Sequence, residues 1–176
     1  MDVKKLKKLI YGNETGKGVA SKVPQMHTMF LGPAATGKTQ IIKDIIAAQE
    51  NDCKIIISTY NEYHQTVQEL ERKGYAAVTL SAQDEETAIS FNIERNKVIY
   101  INGYGTPPNY GEIWDRMLKS DIKIRIYIDG SSPYFNLIPY EMLSIARSHN
   151  CLFFSAFQDI KDLEKGLVAQ FQTIQL

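Results

Sequence analysis

From residue 23 onward the chain alternates two hydrophobic rhythms. Short apolar runs of strand length give way to segments whose apolar residues recur at helical spacing. Met26–Leu31, Lys54–Ser58, Ala77–Leu80, Val98–Ile101, Ile122–Ile128 and Leu152–Ala156 read as strands, with Phe171–Leu176 as a short closing strand. Lys54–Ser58 is β-branched and apolar, the pattern of a buried strand. Ile122, Ile124, Ile126 and Ile128 share one face, because side chains alternate along a strand. Lys38–Gln49, Tyr63–Lys73, Glu112–Lys119, Pro139–Ser148 and the stretch from Asp159 onward read as helices. Val67 and Leu70 lie on one face of the second, and Gly74 follows it as a C-cap. Asp84–Thr87 reads as a turn or short helix, and Asn102–Gly111, with three glycines and two prolines, as an irregular loop. Strands alternating with helices at this spacing predict one α/β domain over residues 23–176, with a largely parallel sheet and helices on both faces. Residues 1–22 form a polar basic lead-in, with Lys4, Lys5, Lys7 and Lys8 around Leu6, Leu9 and Ile10. Such a run suits a short amphipathic helix on an anionic surface, although it is more often a solvated terminus.

Between the first strand and the first helix stands Gly32-Pro33-Ala34-Ala35-Thr36-Gly37-Lys38-Thr39, which fits G-x-x-x-x-G-K-[ST] at every fixed position. Glycine lets the backbone bend so that successive N–H groups face phosphate oxygens. The helix N-terminus adds a favourable dipole. Lys38 is placed to reach the β- and γ-phosphates and the Thr39 hydroxyl to ligate Mg²⁺. The predicted nucleotide-binding set is Gly32, Pro33, Ala34, Ala35, Thr36, Gly37, Lys38, Thr39 and Gln40, for ATP with Mg²⁺.

A phosphate loop works with a carboxylate at the end of a neighbouring strand. Asp129 ends the run Ile124–Ile128 and is the predicted partner of Thr39 at the metal. In many ATPases of this layout a Glu follows that Asp and activates the attacking water; here the next residue is Gly130. Glu112, Asp115 or Glu141 would have to replace it. The apolar strand around Phe153–Phe157, the one read above as Leu152–Ala156, leads into Gln158, a candidate sensor of the γ-phosphate. Lys38, Asp129 and Gln158 are therefore the predicted catalytic set.

Composition narrows the class without changing this picture. The 176 residues are 44% hydrophobic and 23% charged, as in an ordinary globular domain. Twenty basic residues balance twenty acidic ones, which argues against a strongly basic nucleic-acid coat. The two cysteines, Cys53 and Cys151, each open an apolar run and read as free structural thiols in a reducing, cytoplasmic setting. No apolar stretch reaches the length of a membrane span, and the first residues lack the apolar core of a secretory signal. His27, His64 and His149 lack ligand spacing.

Three stretches together resemble the coupling ATPases of conjugation and type IV secretion, the TraG/TraD group. They are the phosphate loop; Lys54–Tyr63 with Arg72-Lys73-Gly74-Tyr75 and Ser90-Phe91-Asn92; and Ile128-Asp129 with Ile145-Ala146-Arg147, Ser155–Ile160 and Leu163-Glu164-Lys165. The resemblance implies a P-loop NTPase of RecA-like three-layer α/β/α fold. It further implies a ring-forming homo-oligomer, often a hexamer, at the cytoplasmic base of a membrane channel, moving single-stranded DNA or protein–DNA cargo. Here the family's Glu after the strand-end Asp is Gly130, its Asp-Pro-Lys turn is Ser58-Thr59-Tyr60, and its inserted helical domain has no room between Asn92 and the Asp129 strand. Two other readings follow from the loop: a non-hydrolysing nucleotide-binding regulatory module, and a small viral-type replication helicase. Tyr100, Tyr104, Tyr110 and Trp114 flank the Gly/Pro loop and offer faces for base stacking, although aromatics there are more often packing residues. Arg95, Arg116, Arg125 and Arg147 are candidates for a finger reaching a neighbour's nucleotide, Arg147 first among them.

Overall fold

The apolar runs pair side by side as seven parallel strands. The structure, a computed structural model, describes residues 24–81, 92–102, 110–119, 121–130 and 132–176. The basic lead-in, the Asp84–Thr87 turn, Ser90-Phe91, Tyr104 and the side chain of Glu112 lie outside the described residues. The strands are β1 (Thr28–Leu31), β2 (Asp52–Ser58), β3 (Ala76–Ser81), β4 (Lys97–Asn102), β5 (Lys123–Asp129), β6 (Cys151–Phe157) and β7 (Gln172–Gln175). The helices are α1 (Lys38–Ala48), α2 (His64–Arg72), α3 (Tyr110–Lys119), α4 (Ser132–Phe135), α5 (Tyr140–Ala146) and α6 (Lys165–Val168). Sheet order is β3-β4-β2-β5-β6-β1-β7.

Strand periodicity divides the core into two layers. Cys53, Ile55 and Ile57 of β2 and Ile124, Ile126 and Ile128 of β5 face Ile113 and Met117 of α3, Phe135 of α4 and Met142 of α5. Ile56 and Tyr127 point the other way, against Ile41, Ile42, Ile45 and Ile46 of α1 and Val67 and Leu70 of α2. This is the expected three-layer α/β/α arrangement. Every residue of β2 and β6 is buried, which explains why their sequences run apolar rather than alternating. Gly74 closes α2 at φ 91°, and Tyr75 N–H donates to Leu70 O at 3.0 Å, as the C-cap reading requires.

Three boundaries differ from expectation. The helix from Asp159 onward is mostly turn, because Asp159 Oδ1 accepts the Lys161 N–H at 2.7 Å and holds the chain in an Asx turn. Only Lys165–Val168 is helical there. Helix α3 begins at Tyr110, so Tyr110 and Gly111 belong to it and not to the loop. Helix α5 stops at Ala146 and tightens into a 3₁₀ turn, Arg147–His149, which the left-handed Asn150 (φ 55°) ends. Cys53 and Cys151 are free and buried, and burial pushes their thiols up to about 11 and about 12. Among the described residues no helix is long and apolar enough to cross a membrane.

Candidate nucleotide-binding site

All strands run the same way, so the loops after β1, β2, β5 and β6 emerge at one end of the sheet, where open α/β sheets bind ligands. The loop after β1 leaves through Gly32. A β-carbon there would lie 2.7 Å from the backbone oxygen of Leu176, so the close approach of these two backbone segments requires glycine. Ala35 (φ 61°) and Gly37 (φ 86°) are left-handed, which curls the backbone into a concave nest in front of α1. Lys38 opens α1 and turns back into that nest. Its Nζ donates to Gly32 O (2.8 Å), Pro33 O (2.6 Å) and Thr36 Oγ1 (3.3 Å). Thr39 is half-buried in the first turn, and Gln40 is exposed, its Nε2 donating to Asp44 Oδ1 at 2.8 Å.

Asp129 is buried at the tip of β5, between Ser58 of β2 and Ala156 of β6. The tip of β6 is stitched to both sides of the site. Gly32 N–H donates to Phe157 O (3.3 Å), and Gly130 N–H donates to Ala156 O (3.0 Å). Gln158, the next residue, is exposed between the phosphate loop and Asp129. Burial pulls the Lys38 ammonium below the usual lysine range, while the charge of Asp129 opposes that shift. The fold thus brings Lys38, Asp129 and Gln158 together at three adjacent strand ends.

Two neighbours of Asp129 escaped sequence reasoning. Tyr63 is fully buried, and its hydroxyl donates to Asp129 Oδ2 at 2.7 Å. Burial, then the Asp129 charge, holds this phenol well above its ordinary pKa, so it stays a donor. Glu62 lies within the field of the same carboxylate. No motif marks either residue. What places them is the adjacency of β2 and β5, which the sequence does not state.

Other candidates lie elsewhere. Tyr100 is buried, its hydroxyl on Tyr60 O at 2.9 Å, and Tyr110 is buried in the core, so both are packing residues and not stacking faces. Arg125 is held at the opposite end of the sheet by Gln49 Oε1 (2.8 Å) and Asn150 O (2.6 Å). Arg147 precedes the start of β6 at that same end. A cavity of about 530 Å³ also opens there, among Pro24, Gln49, Glu50, Lys123 and Arg125, away from the loop. Asp115 and Glu141 are exposed on α3 and α5.

Comparison with known proteins adds to the fold. No family model matches the chain, and no curated protein matches it. Among solved structures, it is similar to B204, the DNA-packaging ATPase from Sulfolobus Turreted Icosahedral Virus. The TM-score is 0.56 and the identity 16%, over 87% of this chain and 76% of that one. The chain has the fold of a P-loop ATPase. That likeness does not single out the TraG/TraD group.

Proposed function

We propose that the protein is an ATP-driven ATPase that translocates DNA. In this reading Gly32 to Gln40 hold the nucleotide, Thr39 and Asp129 hold Mg²⁺, and Lys38, Asp129 and Gln158 act at the γ-phosphate. The observation that carries it is the Lys38 ammonium, centred in a left-handed nest and sharing a field with Asp129 across the tip of β6. The hydroxyl of Thr39 and the carboxylate of Asp129 are hard oxygen donors, which suit Mg²⁺. When bound, that ion neutralises charge on the β- and γ-phosphates. Lys38 exchanges its loop carbonyls for phosphate oxygens, and Gln158 orients water or the γ-phosphate by hydrogen bonding.

DNA as cargo rests on two likenesses: the fold of a DNA-packaging ATPase and the coupling-ATPase resemblance. The homo-oligomeric ring and the single-stranded form of the DNA rest on the coupling-ATPase resemblance alone. A place at a membrane channel in conjugation or type IV secretion is the narrower form of the same proposal.

The test measures ATP binding and phosphate release for the wild type and Lys38→Ala, with and without single-stranded DNA. Lys38→Ala is expected to weaken ATP binding about 10- to 100-fold, the loss of about 1.5–3 kcal/mol of charge-assisted bonds. DNA is expected to raise wild-type phosphate release. ATP binding without phosphate release above background would sink the motor reading. It would favour the non-hydrolysing regulatory module, the reading that Gly130 supports.

A further inference from the structure

Arg125, near the start of β5, is only 8% exposed. A guanidinium stays protonated in proteins, so burial cannot neutralise it as it can a lysine. A buried cation without an anion beside it is costly. Among the described residues no carboxylate reaches Arg125. The ion pairs there join Lys54 to Asp52, Lys97 to Glu94 and Lys161 to Asp159. The buried Asp52 is committed elsewhere, because its Oδ1 accepts from Lys54 Nζ and from Tyr75 Oη, the latter at 2.9 Å.

The contacts that hold Arg125 are neutral. Its Nε donates to Gln49 Oε1 at 2.8 Å, and its Nη1 donates to Ile124 O at 2.8 Å and to Asn150 O at 2.6 Å. These bonds use three of the five N–H donors of the guanidinium fork. The two on Nη2 carry no bond among the described residues. Gln49 Oε1 faces Arg125, which fixes the amide, and Gln49 Nε2 is then buried without a hydrogen-bond partner. Both residues line the cavity of about 530 Å³ at this end of the sheet, together with Lys123 and Asn150. That volume lies within the roughly 300–1,000 Å³ of small-molecule sites. Ala47, Ala48 and Leu152 give the same cavity an apolar part. Glu50 also lines it but is exposed and makes no ion pair with Arg125. A fixed cation, donors in want of acceptors and an apolar wall thus meet around one space.

We propose that this cavity binds a small organic anion whose carboxylate or phosphate oxygens meet Arg125. The oxyanion supplies the counter-charge that Arg125 lacks, through charge-assisted hydrogen bonds. The exposed Lys123 adds a second cation. The carbon body of the ligand lies against Ala48 and Leu152, an apolar surface that a bare inorganic ion would leave to water. The site stands at the opposite end of the sheet from Gly32–Thr39, so it is separate from the nucleotide site and does not depend on the ATPase reading.

The test titrates the isotopically labelled full chain, at fixed ionic strength, with citrate, with glycerol 3-phosphate and with uncharged glycerol, and reads backbone amide NMR shifts. Lys38→Ala serves as the background, so that oxyanions do not compete for the phosphate loop. At least one of the two anions is expected to shift the amides of Gln49, Lys123, Arg125 and Asn150 saturably, with a Kd on the order of 1 mM. Glycerol is expected to shift none of them. A response to citrate alone identifies a carboxylate ligand, and a response to glycerol 3-phosphate alone a phosphate ligand. Arg125→Gln is expected to weaken binding about tenfold or more, the loss of a charge-assisted hydrogen bond. Arg125 also holds Gln49 and Asn150, so a second variant changes only an exposed side chain. Lys123→Glu is expected to weaken binding about fivefold, whereas Lys165→Glu, the same charge change on α6 outside the cavity, is expected to leave it within about twofold. No saturable shift at the four amides with either anion overturns the proposal. So does an equal response to glycerol, or equal weakening by Lys123→Glu and Lys165→Glu, which would mark general charge attraction.

Discussion

At the scale of single residues, Asp129 is the most constrained group in the site. It is buried, its Oδ2 accepts from a buried phenol, and its charge reaches Lys38 on one side and Glu62 on the other. A buried carboxylate without donors is costly, so Tyr63 stabilises the charge where it is needed. Tyr63→Phe removes that donor and leaves the ring packed against Tyr100. It is expected to destabilise the fold by about 1.5–3 kcal/mol, the range for a hydrogen bond to a charged group. Urea unfolding measures this, and an unchanged midpoint would show that Asp129 finds another donor. The loop residues and Asp129 were legible because each follows a fixed spacing or ends an apolar run. Tyr63 and Glu62 were not. Tyr63 reaches Asp129 across a strand pairing, Glu62 precedes it in the chain, and nothing local in Asn61-Glu62-Tyr63-His64 distinguishes them from an ordinary helix start.

At the scale of elements, the phosphate loop depends on how β1 is seated between β6 and β7. His27, one residue before β1, ties this seam together. Its Nε2 donates to Leu143 O of α5 at 3.0 Å, and its Nδ1 accepts the Phe153 N–H of β6 at 3.1 Å. Those roles assign the neutral tautomer, since a proton on Nδ1 would face another N–H. Burial is the main cause that lowers the His27 pKa, with the Leu143 bond opposing and Arg147 adding to the shift. The sign follows. Above the unfolded value of about 6.5 both states are neutral. Below it the unfolded chain takes up a proton that the folded chain resists, so stability falls as pH drops. The slope is up to about 1.4 kcal/mol per pH unit. His27→Gln is expected to be less stable at pH 7.5 yet to lose less between pH 7.5 and 5.5, read from urea midpoints. Parallel losses in both proteins would remove His27 as the acid-sensitive joint. The strand and helix types around this seam were readable from periodicity alone. Strand order was not, because it is set by which apolar faces match in three dimensions. The end of the chain misled for a different reason: local Asx bonding at Asp159 outcompetes the helical spacing of Leu163 and Leu167.

At the scale of the whole molecule, the proposed ligand contacts come from three adjacent central strands, β1, β6 and β5, and from α1. Unfolding scatters those strand ends, so nucleotide bound to the folded chain has no site on the unfolded one. Binding must then raise global stability by mass action. At a free ATP–Mg²⁺ concentration one hundred times Kd the gain is about 2.7 kcal/mol. For a chain of this length that corresponds to a rise in Tm of about 5–10 °C. Lys38→Ala, with weaker binding at the same ligand concentration, is expected to lose most of the rise while keeping its ligand-free Tm close to that of the wild type. A thermal scan with and without ATP–Mg²⁺ measures both. An equal rise in the two proteins would mean that nucleotide binds away from Gly32–Thr39, for instance in the cavity at the opposite end of the sheet. No rise in either would remove nucleotide binding altogether, and with it every role assigned here to Lys38, Asp129 and Gln158.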